Sequence, residues 1–341
     1  MGKTITAMAV AALFIAAPAK AADPVADFYR GKDFIVQVGS GAGGGYDLYA
    51  RLVARHWNKH IPGNPRTIVQ NVPGGGSLRL ANQFGNVTPR DGTHVGVMSN
   101  GMPSTPLLTP DVAQYDARQF GMIGSPTAEK QMLVVWHTAP AKKLEDIYTT
   151  ELITGASSPG SPTFDYPLLT NAVLGTKFKI VTGYEGSNNV VRMAMPRGEI
   201  HANAGVSLGS IKTGYADRVK SKELLIFAQY GFERHPDIPD VPLMPTGKNE
   251  SERQMFELMY SRERYGRLFI TPPGVPAERL KALRDSFDAT LRDPEFLADA
   301  EKSGTDIELV RGEELQALTD RVYRATPEAL ERMRALLNAK P

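Results

Sequence analysis

The chain has 341 residues, room for two domains of ordinary size, and its 42% hydrophobic and 22% charged residues describe a globular protein. It contains no cysteine, which excludes disulfides, thiolate metal sites and cysteine nucleophiles. The formal charge is only +2, so there is no general basic field for nucleic acid.

The chain opens with Lys3, an apolar run over Ala7–Ala17, and the small-x-small pattern Ala19-Lys20-Ala21. This reads as a secretory signal over residues 1–21. The apolar run is shorter than the ~20 residues that a membrane span needs. Removing the segment takes Lys3 and Lys20 with it and brings the formal charge to zero. The mature chain is expected in the periplasm.

Phe34–Val38 has the pattern of a strand, and the loop Val38-Gly-Ser-Gly-Ala-Gly-Gly-Gly-Tyr46-Asp47 follows it. A helix is expected from Asp47 to Lys59, with Leu48, Leu52, Val53 and Trp57 apolar, ended by Pro62-Gly63. Thr67–Gln70 is a second strand, followed by Pro73-Gly74-Gly75-Gly76-Ser77 and a helix through Phe84. Val95–Met98 is a third strand. Strand, helix, strand, helix, strand predicts right-handed βαβ units and a parallel sheet.

A second run of the same kind follows. Strands are expected at 132–136, 152–156, 178–181 and 224–228, with an extended stretch at 199–204. Helices are expected at 143–149, 163–174 and 188–195. The proline-rich 232–246 reads as a connection, and Arg267–Thr271 as one more strand. The tail reads as helices over 276–291, 294–303 and 312–338. Gly124-Ser125-Pro126 and Gln229-Tyr230-Gly231 are candidate crossings between two α/β units.

The first loop contains a literal G-x-G-x-x-G at Gly39, Gly41 and Gly44. A dinucleotide site also needs an acidic residue at the end of the second strand. That strand ends in Gln70-Asn71-Val72, and no G-x-x-x-x-G-K-[ST] loop occurs anywhere. A nucleotide enzyme is therefore the lesser reading. Glycine-rich turns at helix starts still bind anions through unpaired backbone N–H groups and the helix dipole. Here there are two, at Gly41–Gly45 and Pro73–Ser77, both at the C-terminal edge of one sheet. Either they hold a ligand carboxylate, or they are tight turns that need glycine for steric reasons. Asp47, in the first turn of its helix, is either a cap or a ligand contact.

In the second unit, Ser157, Ser158, Ser161 and Thr163 offer hydroxyls at a strand-to-helix loop, as ligand contacts or as caps. Tyr184 and Asn203, the latter read at the end of a strand, are further candidates, and Arg192 either reaches a cleft or faces solvent. The six histidines show no metal signature; His56 and His60 read as a solvated helix face. There is no G-x-S-x-G elbow and no catalytic constellation. No catalytic activity, cofactor or metal is expected.

Taken together these motifs resemble the extracytoplasmic solute receptors of tripartite tricarboxylate transporters, the Bug receptors. Their P-G-G-x-x-D-x-x-A-R pattern is similar to Ala42-Gly43-Gly44-Gly45-Tyr46-Asp47-Leu48-Tyr49-Ala50-Arg51. Their N-x-P-G-A-G loop is similar to Asn71-Val72-Pro73-Gly74-Gly75-Gly76, and their P-x-D-G-T turn to Pro89-Arg90-Asp91-Gly92-Thr93. Tyr184-Glu185-Gly186-Ser187 with Ala194–Glu199, and Thr271–Pro276, resemble later segments. Ala42 replaces a proline, Gly75 an alanine, and Thr154-Gly155-Ala156-Ser157 an aromatic Y-G-S motif.

The resemblance implies a type II periplasmic-binding-protein fold, with two α/β lobes, a hinge and the ligand cleft between them. The lobes would be 22–125 with 230–341, and 126–229. It implies that first-lobe loops hold a ligand carboxylate, partly through water, while second-lobe loops read the rest. The ligand-binding set is then Ala42, Gly43, Gly44, Tyr46, Asp47, Gly74, Gly75, Gly76 and Ser77, with Ser157, Ser158, Ser161, Thr163, Tyr184 and Asn203 across the cleft. The expected ligand is a small organic carboxylate, the expected partner a membrane permease of one small and one large subunit, and the expected state a monomer. A ligand sensor feeding a signalling partner is the alternative.

Overall fold

A computed structural model describes residues 23–156, 160–184 and 193–338. The expected signal segment, Ser157, Ser158 and Arg192 lie outside the described residues.

Helix α1 (Pro24–Tyr29) leads into strand β1 (Asp33–Val38), helix α2 (Gly45–Trp57), strand β2 (Arg66–Asn71), helix α3 (Leu78–Asn86) and strand β3 (His94–Met98). Helix α4 (Thr105–Leu108) and strand β4 (Gly121–Ser125) complete the first run. The second comprises strands β5 (Gln131–Trp136) and β6 (Leu152–Gly155), helix α5 (Pro162–Leu174), strands β7 (Phe178–Val181) and β8 (Ala202–Ser207), helices α6 (Leu208–Gly214) and α7 (Ala216–Lys220), and strand β9 (Leu224–Gln229). The chain then forms helix α8 (Glu250–Tyr265), strand β10 (Leu268–Thr271), helices α9 (Ala277–Leu291) and α10 (Pro294–Lys302), strand β11 (Val310–Arg311), and helices α11 (Gly312–Val322) and α12 (Pro327–Asn338).

There are two sheets, ordered β11-β4-β10-β3-β1-β2 and β7-β6-β8-β5-β9. Strands β1, β2 and β3 are parallel, with Val38 opposite both Asn71 and Val97. The loops that follow them therefore leave the sheet at one level. The sheet is mixed rather than parallel throughout, because β10 runs antiparallel between β3 and β4. In the second sheet β5 is antiparallel to β8 and β9, while β6 is parallel to β7 and β8. The chain passes between sheets at 126–130 and again after Gln229.

Helix α2 buries Ala50, Leu52, Val53, Ala54 and Trp57 on one face and ends at the Gly63 turn. The Trp57 ring meets Phe34, Phe269 and Phe287 edge-on, and its N–H donates to Ser286 Oγ at 2.9 Å. This aromatic cluster fixes α2 against β1, β10 and α9, and with it the position of the helix's N-terminal loop.

Helices α1, α4, α6 and α7 and strand β11 fall in stretches without an assigned element, and four further elements also differ from the sequence reading. Helix α8 falls in a stretch without an assigned element, because buried Ser261 and Glu263 interrupt its apolar face. Strand β4 (GMIGS) is fully buried but too rich in glycine to read as a strand. The expected helix at 143–149 is a 3-10 turn over Leu144–Tyr148. The expected 312–338 helix is two, since Pro327 cannot continue the hydrogen bonding of the first.

Candidate functional site

The β1–α2 loop is organised around Asp47. Its side chain is buried and accepts the Gly43 N–H at 2.8 Å, Arg51 Nε at 3.0 Å and Asn71 Nδ2 at 2.8 Å. Arg51 also donates to Asn71 Oδ1 at 2.8 Å, and Asn71 to the Ser40 carbonyl at 3.0 Å. Burial would raise the Asp47 carboxyl, but the donors Arg51, Gly43 and Asn71 outweigh it and hold it below its usual range. Asp47 thus ties the first loop to the end of β2. Its carboxylate is taken up by the protein, and so is the Gly43 N–H.

The second loop has positive φ at four consecutive residues: Gly74 (148°), Gly75 (56°), Gly76 (60°) and Ser77 (84°). Glycine is needed for such a run, and it turns the backbone toward the first loop. Ser77 is buried; its Oγ donates to the Gly39 carbonyl at 3.1 Å and accepts the Ser99 N–H at 3.0 Å. A Cβ at Gly39 would lie 2.6 Å from Ser77 Cβ. The first glycine of the G-x-G-x-x-G string is therefore required by contact between two protein loops. Tyr46, half-buried, accepts the Asn100 N–H on its hydroxyl at 3.1 Å. Asp47, Ser77 and Tyr46 lock three adjacent loops together. Ala42, Gly43, Gly44, Gly74, Gly75 and Gly76 stay exposed on that frame, beside the first-turn N–H groups that a helix leaves unpaired.

In the second sheet, the β6–α5 loop repeats the device. The Gly160 N–H donates to Asp165 Oδ1 at 3.0 Å, and Arg262 Nη1 donates to Asp165 Oδ2 at 2.8 Å. Ser161 Oγ and Thr163 Oγ1 lie 3.0 Å apart. Gly205 of β8 has φ 147° and no side chain, which lets the Pro162–Thr163 backbone approach to 2.8 Å of its Cβ position. Tyr184 follows β7 and donates its N–H to the Ala156 carbonyl at 3.1 Å. Asn203 sits near the start of β8, opposite Val134, and not at the strand's end. It is fully buried, and among the described residues neither of its side-chain polar atoms has a hydrogen-bond partner.

Several residues of this region were not singled out as candidates in the sequence. Asp165 could have been, as an acid in a first turn after a glycine loop, like Asp47. Arg262 could not, being 97 positions from its partner. Arg267 stacks 4.4 Å over the Tyr46 ring and pairs with Glu129 at 2.5 Å. It lines a cavity of about 490 Å³ between elements of the two sheets, with Tyr49, Lys130, Ser207, Ser210 and Asp306.

His56 and His60 do not face solvent alone. They lie 3.0 and 2.7 Å from the Asp299 and Asp293 carboxylates and dock α2 on α10. Among the described residues no group of three or more His, Cys, Asp and Glu side chains could hold a metal ion.

No family model matches the chain. It is similar to the protein "UPF0065 protein in the TAR-I ttuE-ttuC' intergenic region" of Agrobacterium vitis, 24% identical over 314 residues, covering 90% of this chain and 85% of that one. Among solved structures it is similar to a TctC solute-binding protein from Polaromonas, with TM-score 0.68 and 18% identity over 91% of this chain and 99% of the other. The chain has the fold of a TctC solute-binding protein. It is also similar to MatC of Rhodopseudomonas palustris with bound malate, at TM-score 0.55 and 17% identity over 90% and 99% of the two chains. The TctC fold agrees with the resemblance carried by the loop motifs.

Proposed function

We propose that the chain is a periplasmic solute receptor for a small organic carboxylate, and not an enzyme. The observation that carries this reading is the pair of exposed, uncharged glycine loops, Gly41–Gly45 and Gly74–Gly76, fastened to each other through Ser77. Such loops bind a carboxylate by backbone N–H groups and helix dipole, with no cationic side chain needed. The fold of TctC and of malate-bound MatC supports the same reading. The first sheet and its helices form one lobe, 22–125 with 230–341, and the second sheet forms the other, 126–229. The ligand lies between them, with its carboxylate on Ala42, Gly44, Gly74, Gly75 and Gly76. Ser157, Ser158, Ser161, Thr163 and Tyr184 read its remainder. Asp47, Ser77 and the Gly43 N–H position the loops. The receptor acts as a monomer and delivers its ligand to a permease of one small and one large subunit.

The test is a thermal-shift screen on the chain from Ala22, refolded to remove carried-over ligand. Mono-, di- and tricarboxylates, malate among them, are compared with NAD and ATP. A ligand at 100 times its Kd stabilises by about 2.7 kcal/mol. A carboxylate shift without a nucleotide shift is the expected result. A shift with NAD alone overturns the reading.

A further inference from the structure

Glu263, in the last turn of α8, is a buried carboxyl group that the ligand loops do not use, at the wall of a cavity of about 490 Å³ lined also by Lys130, Gly231 and Tyr260. It lies where the chain passes between the two sheets. Its Oε1 accepts the N–H of Gln131, the first residue of β5, at 3.3 Å, and the Tyr166 hydroxyl of α5 at 3.4 Å. Lys130 Nζ is 3.6 Å from Oε2. The Glu263 carbonyl accepts the Glu129 N–H at 2.9 Å. The second passage closes over the same group: a side chain at Gly231 would come within 3.0 Å of Oε2.

Five titratable or charged groups stand nearest Glu263, while Glu233, His235, Glu257, Arg264 and Glu308 line the rest of the same cavity. Lys130 comes from the first passage, Tyr166 from α5, Tyr230 from the second passage, and Tyr260 and Arg262 from α8 itself. The three tyrosine rings pack edge-on beside the carboxyl, with centroids 4.7 to 5.9 Å apart. Among the described residues the buried Tyr230 and Tyr260 hydroxyls have no hydrogen-bond partner. Burial outweighs the attraction of Lys130 and pushes the Glu263 carboxyl up to about 8. The neighbouring residue Arg262 holds Asp165, which in turn holds the Gly160 N–H of the second-lobe loop. Residues 262 and 263 thus meet residues 165 and 166 in two adjacent bonds, one leading to the ligand loop and one to the passage between the sheets.

We propose that Glu263 makes the arrangement of the two lobes, and through Arg262 and Asp165 the placement of the Gly160–Thr163 loop, dependent on a proton bound at this carboxyl. Neutral Glu263 holds the lobes as they stand here. Ionised Glu263 needs water, and gains it by parting the seam between α8 and α5. The sign follows from linkage. Once the seam opens, the group returns toward its ordinary value of 4.5, against about 8 in the seam. The seam then binds more protons than the opened form between these limits, so it weakens as pH rises through that window.

The inference takes its two lobes from the receptor reading, but its test uses no ligand. Thermal unfolding and the small-angle-scattering radius of the full chain are followed from about pH 5 to about pH 9 for wild type and Glu263→Gln. The melting temperatures should converge at the acid end. Toward pH 9 the variant should melt several degrees higher and stay the more compact. Parallel profiles at every pH would overturn the proposal and leave Glu263 a packing residue. If Glu263→Gln does not fold, Lys130→Met decides. Loss of the ammonium must move the midpoint of pH-dependent exchange at the Gln131 amide to higher pH, and an unmoved midpoint overturns the proposal. A failed ligand screen would sink the receptor reading and leave these profiles as they are; parallel profiles would leave that reading intact.

Discussion

The β1–α2 and β6–α5 loops solve one problem with different parts. In each, a buried aspartate in the first helical turn accepts a glycine N–H from the loop before it, and an arginine neutralises the aspartate. At Asp47 the arginine is Arg51, one turn along the same helix. At Asp165 it is Arg262, brought by α8 from the far side of the seam. The first loop is complete once α2 and β2 have formed. The second is complete only when α8 is packed against α5, so its shape reports on how those two helices meet.

The comparison can be broken at its arginines. Arg262→Met should cost the most, about 3–5 kcal/mol in chemical unfolding, because it strands a buried Asp165 carboxylate. Only 12% of the Arg262 side chain and 1% of Asp165 are exposed. Arg51→Met should cost about 1 kcal/mol, since 43% of Arg51 is exposed and Asp47 keeps the Gly43 and Asn71 donors. Equal costs would mean that the two aspartates are held alike.

The loops themselves give a second contrast. Gly39→Ala should cost about 1–3 kcal/mol, because its Cβ would collide with Ser77. Gly41→Ala, with nothing within 4 Å of the added Cβ, should stay within about 0.5 kcal/mol. Equal melting temperatures for the two variants would mean that contact with Ser77 is not what requires glycine at position 39. Gly44→Asp and Gly75→Asp should each abolish carboxylate binding in the thermal-shift screen while leaving a folded protein, by adding charge and bulk to exposed loop positions.

The smallest effect concerns acid. The Asp47 carboxyl is lowered in the folded chain, so its contribution to stability is present above its ordinary value of 3.8 and is lost as pH falls through the folded value. Asp47→Asn should therefore flatten the acid limb of the melting profile and leave the neutral limb parallel to wild type. An acid limb unchanged by the substitution would remove Asp47 as the loop's organiser.

Much of this was legible in the sequence where the signal was local. Phe34–Val38, the α2 periodicity and each glycine loop are patterns contained in short stretches of chain, and the structure places these elements as their patterns require. What was not legible depends on distant packing. Nothing near Leu268 says that β10 will enter the first sheet antiparallel. Nothing near Asp165 names Arg262. Helix α8 carries buried Ser261 and Glu263 where an apolar stripe is expected, because that face serves the seam as well as the core. Asn203 shows the same limit: it reads as a strand end and is in fact buried near the strand's start.

The most direct test of the account is an amide titration. Glycine-labelled (¹⁵N) protein is mixed with the carboxylate that shifts the melting curve, and the glycine N–H resonances are followed. The account predicts large downfield shifts at Gly44, Gly75 and Gly76. Gly43, whose N–H is held by Asp47, and Gly198, an exposed turn glycine outside the assigned site, should move little. Shifts confined to glycines outside the two loops would contradict it.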